Sequence, residues 1–371
     1  MLVSKTVKMK RRKELSMSLS FLFMLTACST APSPQQAPWE LIQEAPIQGR
    51  EGHSIVWTGE EIIVWGGRAG SDLADGAAYD PQTRTWRLIA TPAGFPGSYG
   101  HTAVWTGEGM LVTQGPDMAD TGSDSMIYFP SSDTWRATSP APDITGVVSR
   151  FAFDGDAVIL SEEAVYSYDP DTDTWAQADT RFPVRDGALM ETGEVAFVGF
   201  DEGGGLRVGA VDPRSGTYRR MPTRGVDEGP WERSSLVSSG QGKLWLVLSR
   251  GATDPSVVYS LEDGDSAWSL EYEDASLYLQ ASGIGGGIAD SVLLEWFQGN
   301  LVSVRAGAIG VYDTDTGQLA AYQVDNDAAP CLLGDYSVIA DDQLMSWSGP
   351  SCRNDAPLSY PTEGLIVALA N

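Results

Sequence analysis

Short apolar runs, each ended by turn-forming residues, repeat along most of the chain. The run Ile62–Trp65 stops at Gly66 and Gly67, and the run Ala77–Tyr79 stops at an Asp-Pro turn. Runs of this length between Gly, Pro and Asp residues are typical of β-strands. The 41 glycines and 21 prolines among 371 residues also favour turns over helices. The sequence therefore predicts an all-β fold.

Two segments of the chain are nearly identical. Gly52–Glu60 has the sequence GHSIVWTGE, and Gly100–Glu108, 48 residues further on, has the sequence GHTAVWTGE. Self-similarity at a period of roughly 20 to 50 residues indicates a repeat architecture such as a solenoid or a propeller. Each repeat buries its apolar face only against its neighbours, so a chain of this length can form one domain.

A hairpin with constant spacing recurs through the chain. Six positions separate the end of one strand from the large apolar residue that opens the next strand. The intervening Asp, Pro, Ser, Thr and Gly residues favour turns, and we expect the apolar residue to pack between neighbouring sheets. The six units, each one blade or part of a blade, run from Asp80 to Trp86, Phe129 to Trp135, Asp169 to Trp175, Asp212 to Tyr218, Glu262 to Trp268 and Asp313 to Leu319.

A further blade is predicted from the two ends of the chain. The segments 336–340, 343–347 and 365–370 have the pattern of three strands, and a fourth is missing there. Trp39–Ile42 matches Trp86–Ile89, the outer strand of the first full repeat, and can supply the missing strand. This pairing would close the ring and leave no unpaired sheet edges at its ends.

We therefore predict a β-propeller with seven blades whose last blade is closed by the N-terminal strand. A six-bladed ring with irregular termini is the alternative. The predicted blades cover about 50 to 90, 98 to 138, 147 to 178, 185 to 221, 231 to 272, 290 to 323, and 333 to 371 together with 39 to 43.

The first repeats resemble the kelch family. His53 lies in the first strand, Gly66 and Gly67 follow the second, and Tyr79-Asp80-Pro81 leads to Trp86. The resemblance is strong over the first half of the chain. The later units lack the histidine and the Gly-Gly pair, and there the resemblance depends only on the hairpin spacing. The resemblance implies a kelch-type propeller.

The N-terminal segment has the features of an export signal. Six basic residues between Lys5 and Lys13 precede the apolar stretch Leu15–Ala27. That stretch is too short to span a bilayer, which needs roughly 20 residues. Its end, Leu25-Thr26-Ala27-Cys28, resembles the bacterial lipobox, which implies cleavage before Cys28 and lipid on its thiol. An ordinary signal peptide with an incidental cysteine, or a buried N-terminal helix, is the alternative.

These features divide the chain into a signal peptide (1–27), a lipidated cysteine with a flexible tether (28–38) and a propeller (39–371). We expect an exported protein of the cell envelope, anchored to a lipid bilayer on the cell surface or periplasmic side. The remaining Cys331 and Cys352 form an even pair in a compartment that permits disulfides, and we predict that they are bonded. Two reduced, buried cysteines are the alternative.

The charge of the chain excludes one class of partner. Removal of residues 1–27 takes away six of the 24 basic residues and one of the 50 acidic ones, which leaves a net charge of −31. Such a surface repels nucleic acid, so we expect no nucleic-acid partner. Solubility outside the cell accounts for the charge. We expect a monomer.

Arginines recur at one predicted face of the ring. The loop that enters the first strand of a blade and the loop after its second strand lie on the same face, because successive strands reverse direction. Carboxylates are the ligands that such arginines grip with two parallel hydrogen bonds, and loop aromatics would add stacking surface. Local pairing of each arginine with an acid, such as Arg50 with Glu51 or Arg185 with Asp186, is the alternative. The candidate ligand-binding residues are Arg50, Arg68, Tyr99, Arg150, Arg185, Trp231, Arg233, Arg250 and Arg305.

Other candidate chemistry has a structural interpretation. The only two histidines, His53 and His101, occupy equivalent repeat positions and are expected to pack or hydrogen-bond at the first strand. This argues against a copper oxidase, whose metal needs several histidines. Asp169, Asp171 and Asp173 alternate as in calcium loops, as Asp313, Asp315 and Gly317 do more weakly, but these residues also form the hairpin turn. We predict no cofactor, with calcium as the alternative.

Two functions are consistent with these features. The first is a non-enzymatic binding or scaffold module that recognises an anionic glycan or an acidic peptide. The second is an enzyme that acts on an anionic sugar, with an acid such as Glu51 or Asp186 beside arginines. The kelch resemblance is compatible with both, because some kelch domains bind acidic ligands at this face and a bacterial sialic-acid mutarotase is built on a kelch propeller. Catalysis would require a carboxylate with a raised pKa in a concave pocket.

Overall fold

A computed structural model describes residues 35–36, 39–94, 97–113, 125–251, 256–275, 293–305, 308–323, 336–348, 362 and 364–369. The predicted lipidation site Cys28 and the predicted Cys331–Cys352 disulfide lie outside these residues. No helix that could cross a membrane occurs within the ranges given.

The described residues form β-strands joined by turns and loops. In chain order the strands are β1 (Gln35–Gln36), β2 (Trp39–Ile42), β3 (Ser54–Trp57), β4 (Ile62–Trp65), β5 (Gly76–Asp80), β6 (Thr85–Leu88), β7 (Thr102–Trp105), β8 (Met110–Thr113), β9 (Ser125–Phe129), β10 (Thr134–Ala137), β11 (Val147–Phe153), β12 (Asp156–Ser161), β13 (Ala164–Asp169), β14 (Thr174–Asp179), β15 (Asp186–Leu189), β16 (Val195–Phe200), β17 (Leu206–Val211), β18 (Tyr218–Arg220), β19 (Arg233–Ser238), β20 (Lys243–Ser249), β21 (Ser256–Glu262), β22 (Ser269–Ala275), β23 (Leu293–Phe297), β24 (Asn300–Arg305), β25 (Ala308–Asp313), β26 (Gln318–Gln323), β27 (Ser337–Ala340), β28 (Gln343–Trp347) and β29 (Gly364–Ala368).

Seven sheets, each with four antiparallel strands, make a seven-bladed β-propeller. Blades 1 to 6 are β3–β6, β7–β10, β11–β14, β15–β18, β19–β22 and β23–β26, each in sequence order from the innermost strand outwards. Blade 7 consists of β27, β28, β29 and the N-terminal strand β2. The prediction of seven blades, with the last one closed by the start of the chain, is confirmed, and the six-bladed alternative is wrong.

The apolar core is divided among the junctions between blades. Seven clusters of buried side chains occur in the described residues, and each contains residues of two successive blades, including blades 7 and 1. The second strands are the most buried: all four residues of β4 and of β8 are buried. These strands read as continuous apolar runs because both of their faces pack against a neighbouring blade.

The recurring tryptophan of the outer hairpin links blades 1, 2, 3 and 5 to the blade before them. The indole nitrogen of Trp86 donates to the carbonyl oxygen of Gln43 at 3.0 Å, and that of Trp135 donates to Ala90 at 2.6 Å. Both carbonyls belong to the segment that leaves the outer strand of the preceding blade. The expectation that this residue packs between sheets is confirmed, and its polar atom is also satisfied.

A two-residue strand occurs in the segment 28–38 that was predicted to be a tether. Gln35–Gln36 pairs in parallel with Tyr322 and Gln323 of β26. This short strand becomes the fifth strand of the blade 6 sheet. The open edge of an outer strand accepts it because its backbone groups have no other strand to pair with.

Candidate functional site

The first strands begin and the second strands end on one face of the ring, which we call the mouth. Glu51 forms a backbone bridge to Arg68, and Arg233 pairs with Ser249, the residue before Arg250. The backbone nitrogen of Arg185 donates to the carbonyl oxygen of Val198 in β16. Register therefore places the arginines that flank these strand ends at the mouth.

Arg50 does not offer its side chain to a ligand. It is fully buried. Its Nη1 donates to Asp75 Oδ1 at 2.7 Å and to the carbonyl oxygen of Gly66 at 3.0 Å, and its Nε donates to Gln48. The expected alternative of local pairing therefore holds for Arg50, but the acid is Asp75 and not Glu51.

Arg68 and Tyr99 form one unit at the mouth. The Arg68 guanidinium lies over the Tyr99 ring, 4.4 Å from its centre, and its Nε donates to Asp72 Oδ1 at 2.7 Å. The ring is held close to the backbone of Gly52, where an added Cβ atom would lie 2.4 Å from two ring carbons. Gly52 has a positive φ of 62°, so this close approach requires glycine. The Arg68 side chain remains about half exposed, at 48%.

Trp231 and Arg250 form a second such unit. The Arg250 guanidinium lies 5.1 Å from the centre of the Trp231 ring. The ring is buried, with 6% of its residue surface exposed, and its indole nitrogen donates to the carbonyl oxygen of Asp227 at 3.1 Å. Trp231 was predicted to offer an open stacking surface. Instead it supports an exposed arginine.

The other mouth arginines differ in exposure. Arg185 is exposed, and Arg233 is half-buried at the first position of β19. Arg305 is the last residue of β24, and its backbone pairs with Ala308. Among the arginines whose side chains the structure describes, Arg185 is therefore more accessible to a ligand than Arg233.

Arg150 lies inside the central channel and not in an entry loop. The sequence placed it before a first strand, but β11 starts at Val147, and Arg150 pairs with Ile159 in the middle of that strand. A register shift between Val147 and Ser149 accompanies this earlier start. The side chain of Arg150 is exposed to the space enclosed by the ring.

The central channel is a cavity of about 880 Å³ lined by the innermost strands of all seven blades. Its charged lining residues are Arg150 of blade 3, Asp186 of blade 4 and Glu295 of blade 6. The rest of the wall is apolar, or consists of serine and glycine. Cavities of this volume are within the range of small-molecule sites, roughly 300–1,000 Å³.

Asp186 connects three blades along the channel wall. Its Oδ1 accepts hydrogen bonds from Ser149 Oγ of blade 3 at 2.9 Å and from the backbone nitrogen of Gly187 at 2.8 Å. Its Oδ2 accepts a hydrogen bond from the backbone nitrogen of Leu236 of blade 5 at 3.0 Å. Burial raises the pKa of Asp186 to about 6, although the three hydrogen bonds oppose the shift. A carboxyl group with this pKa both gives and accepts protons near neutral pH.

Glu295 and Arg150 influence each other across the channel. Burial raises the pKa of Glu295, and the positive charge of Arg150 acts in the opposite direction. The same charge helps to keep His101 neutral. Sequence reasoning named Asp186 as a candidate acid but missed Glu295, whose surroundings come from blades that are far apart in sequence.

Neither a protein-family model nor a curated protein matches this chain. The kelch resemblance of the first repeats therefore stays a prediction from the sequence. The seven-bladed fold itself rests on the observed strand pairing.

Both histidines pack at blade junctions. The ring of His53 stacks on Tyr336 of blade 7 with 4.4 Å between ring centres, and His101 Nε2 lies 2.9 Å from Ser54 Oγ of blade 1. Burial lowers the pKa of His53 and of His101 to about 3, so both rings are neutral. Their packing between blades agrees with the structural interpretation.

The alternating aspartates of blade 3 form a turn. Asp169 Oδ1 accepts hydrogen bonds from the backbone nitrogens of Asp171 at 2.8 Å and Thr172 at 3.2 Å. Asp173 turns away to accept a hydrogen bond from the backbone nitrogen of Ser139 at 2.8 Å. No group of three metal-ligating side chains converges in the part of the chain that the structure describes. These contacts give the carboxylates of Asp169 and Asp173 structural roles at the hairpin turn.

The raised pKa of Asp186 predicts a pH-dependent effect of Asp186→Asn on stability. In the folded state the carboxyl group of Asp186 keeps its proton up to about pH 6, whereas in the unfolded chain the same group loses its proton near pH 4. Wild-type stability from this group is therefore fully present below about pH 4 and lost as pH rises through about 6. Relative to wild type, the Asn variant should gain up to about 3 kcal/mol between these pH values.

Urea unfolding of both proteins at several pH values measures this difference. Asp265→Asn, at an exposed turn residue outside the channel, is the matched control and should show no such trend. A difference between wild type and Asp186→Asn that stays constant across the range would show that the folded state does not raise the pKa of Asp186.

Proposed function

We propose that this chain is an exported, lipid-anchored binding propeller whose mouth takes ligands that carry carboxylates, either an anionic glycan or an acidic peptide. A β-propeller is compatible with binding and scaffold roles. The observation that supports the more specific proposal is the pair of aromatic-held arginines, Arg68 on Tyr99 and Arg250 on Trp231, on one face of the ring.

The chemistry of these two units favours carboxylates. Stacking on a ring fixes the plane of a guanidinium while its N–H groups stay available, so less freedom is lost when it grips a carboxylate. Asp72 already occupies Arg68 Nε, which leaves the terminal nitrogens for a ligand. In a chain with a net charge of −26, exposed arginines on one face form a local positive patch that attracts anionic ligands.

The anchor is supported by the sequence of the first 28 residues. The basic segment, the short apolar stretch and Cys28 occur in the order that a lipobox requires. A palmitate analogue fed to a bacterial host that expresses the chain should label it, and Cys28→Ala should abolish the label.

An enzyme that acts on an anionic sugar is the second candidate. The observation that favours it is Asp186, a carboxyl group with a pKa of about 6 in the channel, next in sequence to the mouth residue Arg185. Ring opening of a sugar requires one group to remove a proton and give it back, which this pKa permits. Loss of anomer exchange in Asp186→Asn, with ligand affinity retained, would identify this activity.

A glycan and peptide array tests the binding proposal. The chain used should begin at Ser29, so that it keeps every described residue and lacks the predicted lipid site. We expect ligands with carboxylates to be retained, and the double variant Arg68→Met with Arg250→Met to bind them at least about tenfold more weakly.

Arg84→Met is the control for this experiment. Arg84 lies in the hairpin between β5 and β6, is 63% exposed and pairs with Glu40. Because β5 begins at the mouth, this hairpin lies on the opposite face of the ring. Arg84→Met removes one positive charge, as each of the two substitutions in the double variant does. Equal binding by the double variant and wild type, or retention of neutral ligands alone, would contradict the proposal.

A further inference from the structure

The central channel combines a charged middle with an aromatic far end. Trp57 and Trp105 are the last residues of β3 and β7, and Trp296 is the next-to-last residue of β23. All three are half-buried and line the channel. Because each first strand runs from the mouth towards the opposite face, these three residues lie at the end opposite the mouth, where each also packs against an apolar cluster between two blades.

The distance between the two parts suits a small ring compound. Arg150 is three residues from the end of β11. At about 3.3 Å per residue its backbone is about 10 Å from the far end, which is about the length of two fused aromatic rings with a carboxylate. A ligand of that shape can place its anionic group at Arg150 and its rings against the tryptophans.

The channel changes its charge when its carboxyl groups take up protons. With Asp186 and Glu295 ionised, the three charged lining residues sum to one negative charge, and with both neutral they sum to one positive charge. The lining parts of β3, β7, β19 and β27 add no charged side chain. His101, just before β7, is neutral, and Arg233 lies at the mouth end of β19.

We propose that the channel is a second binding site, distinct from the mouth, for a small organic acid with an aromatic body, whose anionic group contacts Arg150 and whose rings contact Trp57, Trp105 and Trp296. Binding strengthens as pH falls, because neutral Asp186 and Glu295 no longer repel the anion. The site needs neither the mouth arginines nor the anchor.

Calorimetric titration with 2-naphthoate, which stays ionised at about pH 5.5, tests this site. We expect affinity at about pH 5.5 to exceed that at about pH 8 by at least about tenfold. Arg150→Met should weaken binding at about pH 5.5 at least about tenfold, and Arg150→Lys should restore part of it. Glu295→Gln should bind more tightly than wild type at about pH 8.

Three controls separate this proposal from the others. The neutral 2-naphthamide should bind without dependence on pH. Arg250→Met should leave naphthoate affinity unchanged, and Arg150→Met should leave ligand binding at the mouth unchanged. Equal naphthoate affinity in wild type, Arg150→Met and Arg150→Lys, or equal affinity at both pH values, would overturn the channel site and leave the mouth proposal standing.

Discussion

A chain that lacks residues 39 to 43 should lose most of the stability of the whole ring. The deletion removes β2, the fourth strand of blade 7, and exposes the edge of β29. It also removes Ile42, which is 3% exposed in the cluster between blades 7 and 1, and the carbonyl of Gln43 that binds Trp86. We expect a loss of more than about 5 kcal/mol and a fall in melting temperature of at least about 10 °C.

Thermal unfolding followed by circular dichroism measures this loss. Two point variants distinguish the loss of ring closure by β2 from the effect of a shorter chain. Ile42→Ala removes a buried side chain of β2 and should cost about 2 to 4 kcal/mol. Leu41→Ala changes a neighbouring side chain that is 51% exposed and should cost less than about 0.5 kcal/mol. A deletion variant that melts like wild type would show that β2 does not close the ring.

The effect is expected to spread around the ring because each blade depends on two junctions. The seven apolar clusters in the described residues each join successive blades, so opening one junction leaves blade 7 with half of its packing. The exposed edge of β29 would then favour pairing with other chains. Aggregation on heating is therefore an expected accompaniment of the deletion.

The architecture was predictable because the features that define it are local. The spacing from Asp80 to Trp86 and its five counterparts reflects one hairpin turn, and the matching segments Trp39–Ile42 and Trp86–Ile89 reflect one outer strand. Turn residues and the period of the repeat depend only on nearby sequence. Blade number and closure follow from counting these units.

The sites were less predictable because ring closure brings distant residues together. Ser149, Asp186 and Leu236 meet at one carboxylate from three blades, and Glu295 comes from a fourth. Nothing in the local sequence of Glu295 shows that it faces a channel. The position of Arg150 was misjudged for a different reason: β11 has seven residues, against four in β3, so a mid-strand residue had the spacing of a loop residue.

Arg50 was predicted as a mouth residue, yet the structure makes it part of the closure between blades 7 and 1. The sequence offers Glu51 as a neighbouring acid, but the partner is Asp75, which lies 25 positions away. The Arg50 backbone also exchanges two hydrogen bonds with Ser348 Oγ, donated by its nitrogen at 2.8 Å and accepted by its oxygen at 2.9 Å. Those partners are 298 positions apart, so only the closed ring brings them together.

Arg50→Met should therefore destabilise the protein by about 3 kcal/mol, the largest effect that we expect from a single arginine. The variant leaves the buried carbonyl of Gly66 without the guanidinium that donates to it at 3.0 Å. Asp75 loses three hydrogen bonds from that group, one to its carbonyl oxygen and two to its carboxylate, but its side chain is 43% exposed and can turn to water, which limits the cost. Chemical denaturation at neutral pH measures the difference.

A double-mutant cycle identifies the cause of this loss. If the Arg50–Asp75 pair carries it, Arg50→Met combined with Asp75→Asn should destabilise by less than the sum of the two single variants. Arg68→Met, at an exposed arginine with its own aspartate, is the matched control and should cost less than about 1 kcal/mol. Strict additivity in the cycle would mean that Arg50 acts through the Gly66 carbonyl and packing alone. Equal small losses for Arg50→Met and Arg68→Met would contradict the buried closure role, because a half-exposed arginine and a fully buried one would then be equivalent.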